Sequence, residues 1–211
     1  MARSPADSSR PAVAAGPGRP RSTTRRELAL VAMRLFERQG YATVTVDEVA
    51  AAAGVSRRTF FRYFPNKASV VWLDFDSEVA QIRRLLAATP AGTAMFPAIR
   101  EAVLGANRYR PEDLPELRLR MRLIGTAPEL QALAVRHYGA WEAAITEFAA
   151  DRLGADPDGL AARALGAATL AVCRAAYEIW AEHADAPLSR YLARALRELE
   201  SGWAADGSDD G

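Results

Sequence analysis

A chain of 211 residues, half of them hydrophobic, is long enough for one sizeable core or for a small unit attached to a larger one. No apolar run reaches bilayer-spanning length and the first twenty residues lack the apolar centre of a secretory leader, so a soluble, cytoplasmic protein is expected. The lone cysteine, Cys173, excludes a disulfide scaffold and a cysteine-based zinc site, and the net charge of +1 conceals a split: residues 1–67 hold 12 Arg and Lys against 5 Asp and Glu, residues 68–211 hold 15 against 21. One end of the chain is suited to polyanions and the other is not.

Residues 1–22, rich in Pro, Ser, Gly and Arg, read as a disordered basic tail. Helical periodicity then takes over and strand alternation is absent. Thr24 with Glu27 forms a capping-box start, and Leu28, Val31, Ala32, Leu35 and Phe36 follow at helical spacing until Gly40. Thr45 and Glu48 repeat the box and open a second, short helix that ends near Gly54. Ser56 is a good N-cap for a third helix, which Pro65 stops after about Phe64. A longer helix followed by two short ones across a glycine turn makes a helix-turn-helix unit over residues 23–67.

From Asn66 a long helix is expected, with Trp72, Phe75, Val79, Ile82 and Leu86 spaced by three and four. Further helices are separated by Pro90 to Gly92, Pro111, Gly125 to Pro128, Gly154 to Pro157, and Pro187. The expectation is an all-α protein of about nine helices, with residues 68–211 forming a larger body for ligand binding and dimerisation.

The segment "GVSRRTFFRYFPNK" interleaves rings and cations. At about 100° per residue, Phe60 and Phe64 fall about 40° and 80° from Ser56, while Arg58, Phe61 and Arg62 point to the opposite side, flanked by Arg57 and Thr59. Geometry thus sorts the rings and cations into a buried face and a presented one. A major groove admits one helix, and an arginine there can donate a bidentate pair to guanine, so double-stranded DNA is the expected partner. A second possibility is an architectural DNA binder without a ligand response, which would show little sequence preference.

The longer run "TVTVDEVAAAAGVSRRTFFRYFPNK" resembles the N-terminal signature of TetR-type transcriptional regulators over about 45 residues. That resemblance implies that Arg57, Arg58, Thr59 and Arg62 approach base edges or neighbouring phosphates, that Phe61 meets sugars or thymine methyls, and that Thr45, Tyr63 and Lys67 hold phosphates. Phe61 stands where such proteins often carry tyrosine, so one phosphate hydrogen bond is expected to be missing. "RRTFFRYFPNKASVVWLDFDSE" is similar to the branch associated with the mycofactocin system, which implies an operator near such genes. The resemblance further implies a repressor released by a small ligand. Arg19, Arg21, Arg25 and Arg26 precede the first helix and either solubilise the tail or form an arm for the adjacent minor groove.

A single helix-turn-helix makes few contacts, so a homodimer reading two half-sites is expected. The seam is assigned to the last two helices, through the small residues of "LAARALGAATLAVCRAAYEIW" and the stripe Leu188, Leu192, Ala195, Leu196 and Leu199. Leu130, Ala134, Tyr138, Trp141, Ile145 and Phe148 share a helix face, with His137 at its margin as a hydrogen-bonded structural residue. In "PELRLRMRLIG" the helix is apolar on two sides, so Arg118, Arg120 and Arg122 need partners. These are either Glu112, Asp113, Glu116 and other acids, or an anionic ligand with an apolar part such as an acyl thioester of coenzyme A. Arg120, Met121, Arg122, Tyr138 and Trp141 are the candidate ligand contacts. No cofactor is expected. Phosphate loops, HExxH, metal spacing and Gly-x-Ser-x-Gly are all missing from the sequence, which argues against an enzyme.

Overall fold

A computed structural model describes residues 23–205. Among them the fold is all-α, with α1 Arg25–Gln39, α2 Val46–Ala52, α3 Arg57–Tyr63, α4 Phe75–Ala87, α5 Met95–Ala106, α6 Leu114–Thr126, α7 Pro128–Leu153, α8 Leu160–His183 and α9 Leu188–Ala205. Two 3-10 turns, Ala68–Val70 and Pro111–Asp113, precede α4 and α6. No helix among the described residues is long and apolar enough to cross a membrane.

Both capping boxes form. The Thr24 hydroxyl accepts from the Glu27 amide at 3.1 Å while the Glu27 carboxylate accepts from the Thr24 amide at 2.7 Å, and Thr45 with Glu48 repeats this at 3.2 and 2.7 Å. Between α2 and α3 the chain turns through Gly54 at φ +66°, a left-handed conformation that a β-carbon would strain. The Val55 amide then donates to the Ala50 carbonyl at 2.9 Å and closes the turn. Phe60 and Phe64 are fully buried with Phe36, Met33, Leu28 and Val49, so the inner face of α3 is the one the spacing selects.

The long helix expected from Asn66 does not form. Ala68, Val70, Val71 and Trp72 are all buried, which is more than one face of a regular helix could supply over five residues. The chain instead winds through a 3-10 turn, held at its start by the Asn66 side chain, which accepts from the Ser69 amide at 3.0 Å. The α4 helix begins only at Phe75. This joint belongs to a core cluster that joins Leu28 to Phe64 of the head with Leu119, Leu123, Ile124, Leu130 and Ala134 of α6 and α7. Packing therefore runs unbroken across residues 67 and 68.

The body centres on α7 and α8, which pack along their lengths, with α9 against α8 and α5. Close approach depends on Gly166, where a β-carbon would overlap the Thr146 hydroxyl and lie 3.1 Å from the Glu142 carbonyl oxygen. Gly166→Ala is therefore expected to destabilise the protein by about 1–3 kcal/mol. Adding Thr146→Ala should recover most of that loss in chemical denaturation.

The α9 stripe requires a correction. Leu188, Leu192 and Leu196 are buried in this chain's own core, so they are not free to form a seam between copies. The face of α8 that remains outside carries Leu160, 87 % exposed, and Ile179, 49 % exposed.

Candidate DNA-reading surface and effector cavity

Ser56 starts α3 by accepting from the Thr59 amide at 3.0 Å, and the Ser56 and Thr59 hydroxyls lie 3.0 Å apart. This orients α3 with Arg57, Arg58, Phe61 and Arg62 exposed and Thr59 and Tyr63 half-buried. Arg58 makes no hydrogen bond or ion pair with any described residue. Arg57 donates to Asp47 of α2 at 2.6 Å and lies over the Phe61 ring, 5.3 Å from its centroid. That ion pair is solvent-exposed and of little worth, so it can exchange for a phosphate at small cost. Arg62 lies over the Tyr63 ring at 5.0 Å. The surface is cationic and projecting, and of its three arginines Arg58 alone has no hydrogen bond or ion pair with a described residue, since Arg62 also donates to the Tyr63 hydroxyl at 3.5 Å.

Two expected phosphate contacts are placed differently. The Thr45 hydroxyl accepts from the Glu48 amide and donates to the Glu48 carboxylate at 2.8 Å, so its capping box must open before it can hold a phosphate. Lys67 turns inward. Its ammonium donates to the carbonyls of Tyr41 at 2.6 Å and Val44 at 2.9 Å and sits 4.2 Å from the Tyr41 ring centroid. Burial lowers its pKa. Lys67 thus ties the loop after α1 to the joint and acts as a positioning residue, because a lysine so engaged has little left for DNA.

The arm residues also part company. Arg26 pairs with Asp113 and, at 2.9 Å, with Glu116 on the body, and these hydrogen bonds raise its pKa. Arg25 lies over the Phe64 ring at 5.3 Å. Arg19 and Arg21 lie outside the described residues.

Between α4, α5, α6, α7 and α8 lies a cavity of about 590 Å³. All five candidate contacts, Arg120, Met121, Arg122, Tyr138 and Trp141, line it. Apolar side chains form most of the remaining wall, among them Trp72 and Phe75 from the joint and the start of α4. Spacing gave no sign of a polar cluster in that wall, because its members come from distant segments. The Tyr109 hydroxyl donates to Glu78 at 3.0 Å, the Tyr177 hydroxyl donates to the Asn107 side-chain oxygen, and the Asn107 amide donates to the Val103 carbonyl at 2.7 Å. Burial raises the pKa of Glu78, Tyr109 and Tyr177. It pushes the Cys173 thiol up to about 12, which leaves an unreactive packing residue.

The three arginines of α6 find separate partners. Arg118 donates to the Ala181 carbonyl at 2.9 and 3.2 Å, closing the end of α8. Arg122, exposed at the cavity rim, donates to Glu37 at 2.6 Å. Arg120 is buried and pairs with Glu116 at 3.1 Å, with Asp74 at 3.9 Å. His137 stacks on Trp72, 4.3 Å between centroids, and no described residue forms a hydrogen bond with its ring; burial lowers its pKa. The structural histidine is therefore secured by ring packing instead.

A DNA-reading head fused to a hollow helical body is the architecture of a ligand-responsive transcriptional regulator. Residues 30–71 match the bacterial regulatory proteins of the tetR family, and residues 93–204 match the MftR C-terminal domain. The chain is 35% identical, over 88% of its length and 93% of the relative's, to the Mycobacterium tuberculosis protein named MftR, a mycofactocin biosynthesis transcriptional regulator. It is 34% identical to the HTH-type transcriptional regulator TcmR of Streptomyces glaucescens, over 82% and 81% of the two chains. The crystal structure of Thermus thermophilus FadR, a TetR-family repressor in complex with lauroyl-CoA, shares the fold with a TM-score of 0.51 and 24% identity, over 84% and 94% of the chains. The protein belongs to the TetR family of transcriptional regulators, a family of DNA-binding proteins and not of enzymes.

Proposed function

We propose that the protein is a cytoplasmic, dimeric repressor that reads a palindromic operator through α3 and is released when a small amphipathic molecule fills the cavity. The observation that carries this reading is the shared wall. Trp72 and Phe75 line the cavity and belong to the segment that hangs the reading head on the body, so occupancy acts on head placement directly. An effector must favour one head spacing over the other, since tight binding to both shifts nothing.

On α3, Arg58 and Arg62 read base edges, Arg57 reaches a phosphate after its Asp47 pair opens, Thr59 reaches a base or a phosphate, and Phe61 packs on sugars or thymine methyls. Tyr63 holds a phosphate at the edge. Two copies meet on the outward face of α8, through Leu160, Ile179 and the alanines between them. The effector has an apolar body for the aromatic wall and an anionic head near the rim cations Arg122 and Arg174, which fits an acyl thioester of coenzyme A. The likeness to MftR supports an operator near mycofactocin genes.

Genome-wide footprinting of the purified protein tests the reading. Palindromic sites should be recovered, occupied in preference to random duplex, and vacated on addition of lauroyl-CoA but not of coenzyme A alone. Equal affinity for random DNA, with no response to any amphipathic ligand, would favour an architectural binder and overturn the proposal.

A further inference from the structure

Phe75, Glu78 and Ile82 follow at spacings of three and four on α4, and all three line the cavity. Glu78 is therefore a carboxyl group set into an apolar stripe that faces the hollow of the body. Its Oε1 accepts from the Tyr109 hydroxyl at 3.0 Å, whereas its Oε2 has no hydrogen bond or ion pair with any described residue. That oxygen is not sealed off, because the unpartnered side-chain nitrogen and oxygen atoms closed to space among the described residues are Trp72 Nε1 and Arg120 Nε. Glu78 is only partly accessible and burial raises its pKa, so the space its free oxygen meets is the cavity and not bulk water. Such an oxygen in a mainly apolar cavity selects what enters: a guest without a donor strips its water and leaves it bare, and a guest with one satisfies it.

The neighbours of Glu78 fix the chemistry of that guest. Tyr109 gives its hydroxyl hydrogen to Glu78 and Tyr177 gives its own to Asn107, so both tyrosine donors are committed within the protein. Burial opposes the ionised form of Glu78, while the nearby Arg120 charge and the Tyr109 hydrogen bond favour it; once ionised, its free oxygen can only accept. A carboxylate on the guest would face Glu78 itself, and an ammonium would face Arg120 on the same wall. An uncharged donor meets neither penalty. We infer that the effector carries a hydroxyl group on its apolar body and that Glu78 Oε2 accepts its hydrogen inside the cavity. This rests on the cavity's being the effector site, and it adds an inner polar contact to the anionic head at the rim. Glu78 is thereby a specificity-determining residue.

The contact is also placed where occupancy bears on the head. Glu78 lies one turn after Phe75, the first residue of α4, and α4 follows the joint directly. Through Tyr109 the same carboxyl group is tied to the connection between α5 and α6. A hydroxyl held by Glu78 anchors its carrier to both elements, whereas an apolar guest of the same shape only fills the space.

Titration calorimetry on the full chain compares 4-phenyl-1-butanol, its methyl ether and 4-phenylbutylamine, a cation at neutral pH. The ether accepts a hydrogen bond but cannot donate one, so its comparison with the alcohol isolates the donor. The alcohol should bind about tenfold or more tightly than the ether, as expected for a hydrogen bond to a charged group, and more tightly than the amine. Glu78→Gln keeps the shape of the side chain; its amide oxygen takes over the Tyr109 hydrogen and its NH2 group, a donor, turns to the cavity. The advantage of the alcohol over the ether should then fall to about twofold or less. The wild-type comparison alone decides if the variant fails to fold. Equal binding of alcohol and ether to the wild-type chain would leave the cavity reading intact and overturn the hydroxyl inference. A tighter amine, or a tenfold preference for the alcohol that survives in Glu78→Gln, would overturn it as well. Failure of all three ligands to bind would remove both the inference and the cavity reading beneath it.

Discussion

Arg58→Ala flattens the discrimination between operator and unrelated duplex by about 1–3 kcal/mol, roughly five- to 150-fold, while binding to random DNA falls much less. The expectation comes from the position of the side chain. It projects from the outer face of α3, where no described residue forms a hydrogen bond or ion pair with it, so no such bond among the described residues has to break before it meets a base. Arg57→Ala should behave differently. That guanidinium already pairs with Asp47 and covers Phe61, and its removal should weaken all duplexes alike and reduce the salt dependence by about one phosphate contact. Fluorescence anisotropy with operator and scrambled duplexes over a salt series separates the two cases. Equal loss on both duplexes for Arg58→Ala would show that it touches phosphate and not base.

Phe60→Ala should cost about 3–5 kcal/mol in chemical denaturation, a large part of the total stability of an ordinary domain. Phe60 is fully buried, meets Phe64 at 5.6 Å and Phe61 at 5.4 Å between centroids, and anchors α3 in the shared core. Its neighbour gives the control. Phe61 is 42 % exposed, so Phe61→Ala should leave the denaturation midpoint nearly unchanged and weaken operator binding alone. If the two variants lose equal stability, the sorting of α3 into inner and outer faces is wrong.

That sorting was legible in the sequence because it is local. Helix starts at Thr24, Thr45 and Ser56 need only the next three residues, and the two faces of α3 follow from the helical angle. The five candidate cavity residues line the cavity for a related reason: α6 is apolar on two sides, more than one neighbour can cover, and α7 packs beside it with a single apolar face. The joint was not legible, since periodicity across residues 66–74 looks helical until the burial of Ala68, Val70, Val71 and Trp72 against separate partners is known. Lys67 shows a different limit. Its residue type suits phosphate, but only the folded chain brings the carbonyls of Tyr41 and Val44 to its ammonium. The α9 leucines show a third, because an apolar stripe does not state whose core it enters. Glu78, Asn107, Tyr109 and Tyr177 carry no spacing signal at all, since three separate segments bring them together.

The core that continues from α1 through the joint into α6 and α7 has a bearing on protein engineering. A reading unit excised near residue 67 would separate Phe36, Phe64 and Val44 from the core cluster they share with Leu119, Leu123 and Leu130. Hybrids that graft this unit onto a relative's sensor must therefore transplant the matching surface of α6 as well, together with the Arg26 clamp, or accept a poorly folded chimera. Swapping DNA specificity by exchanging only the outward residues of α3 avoids that seam altogether.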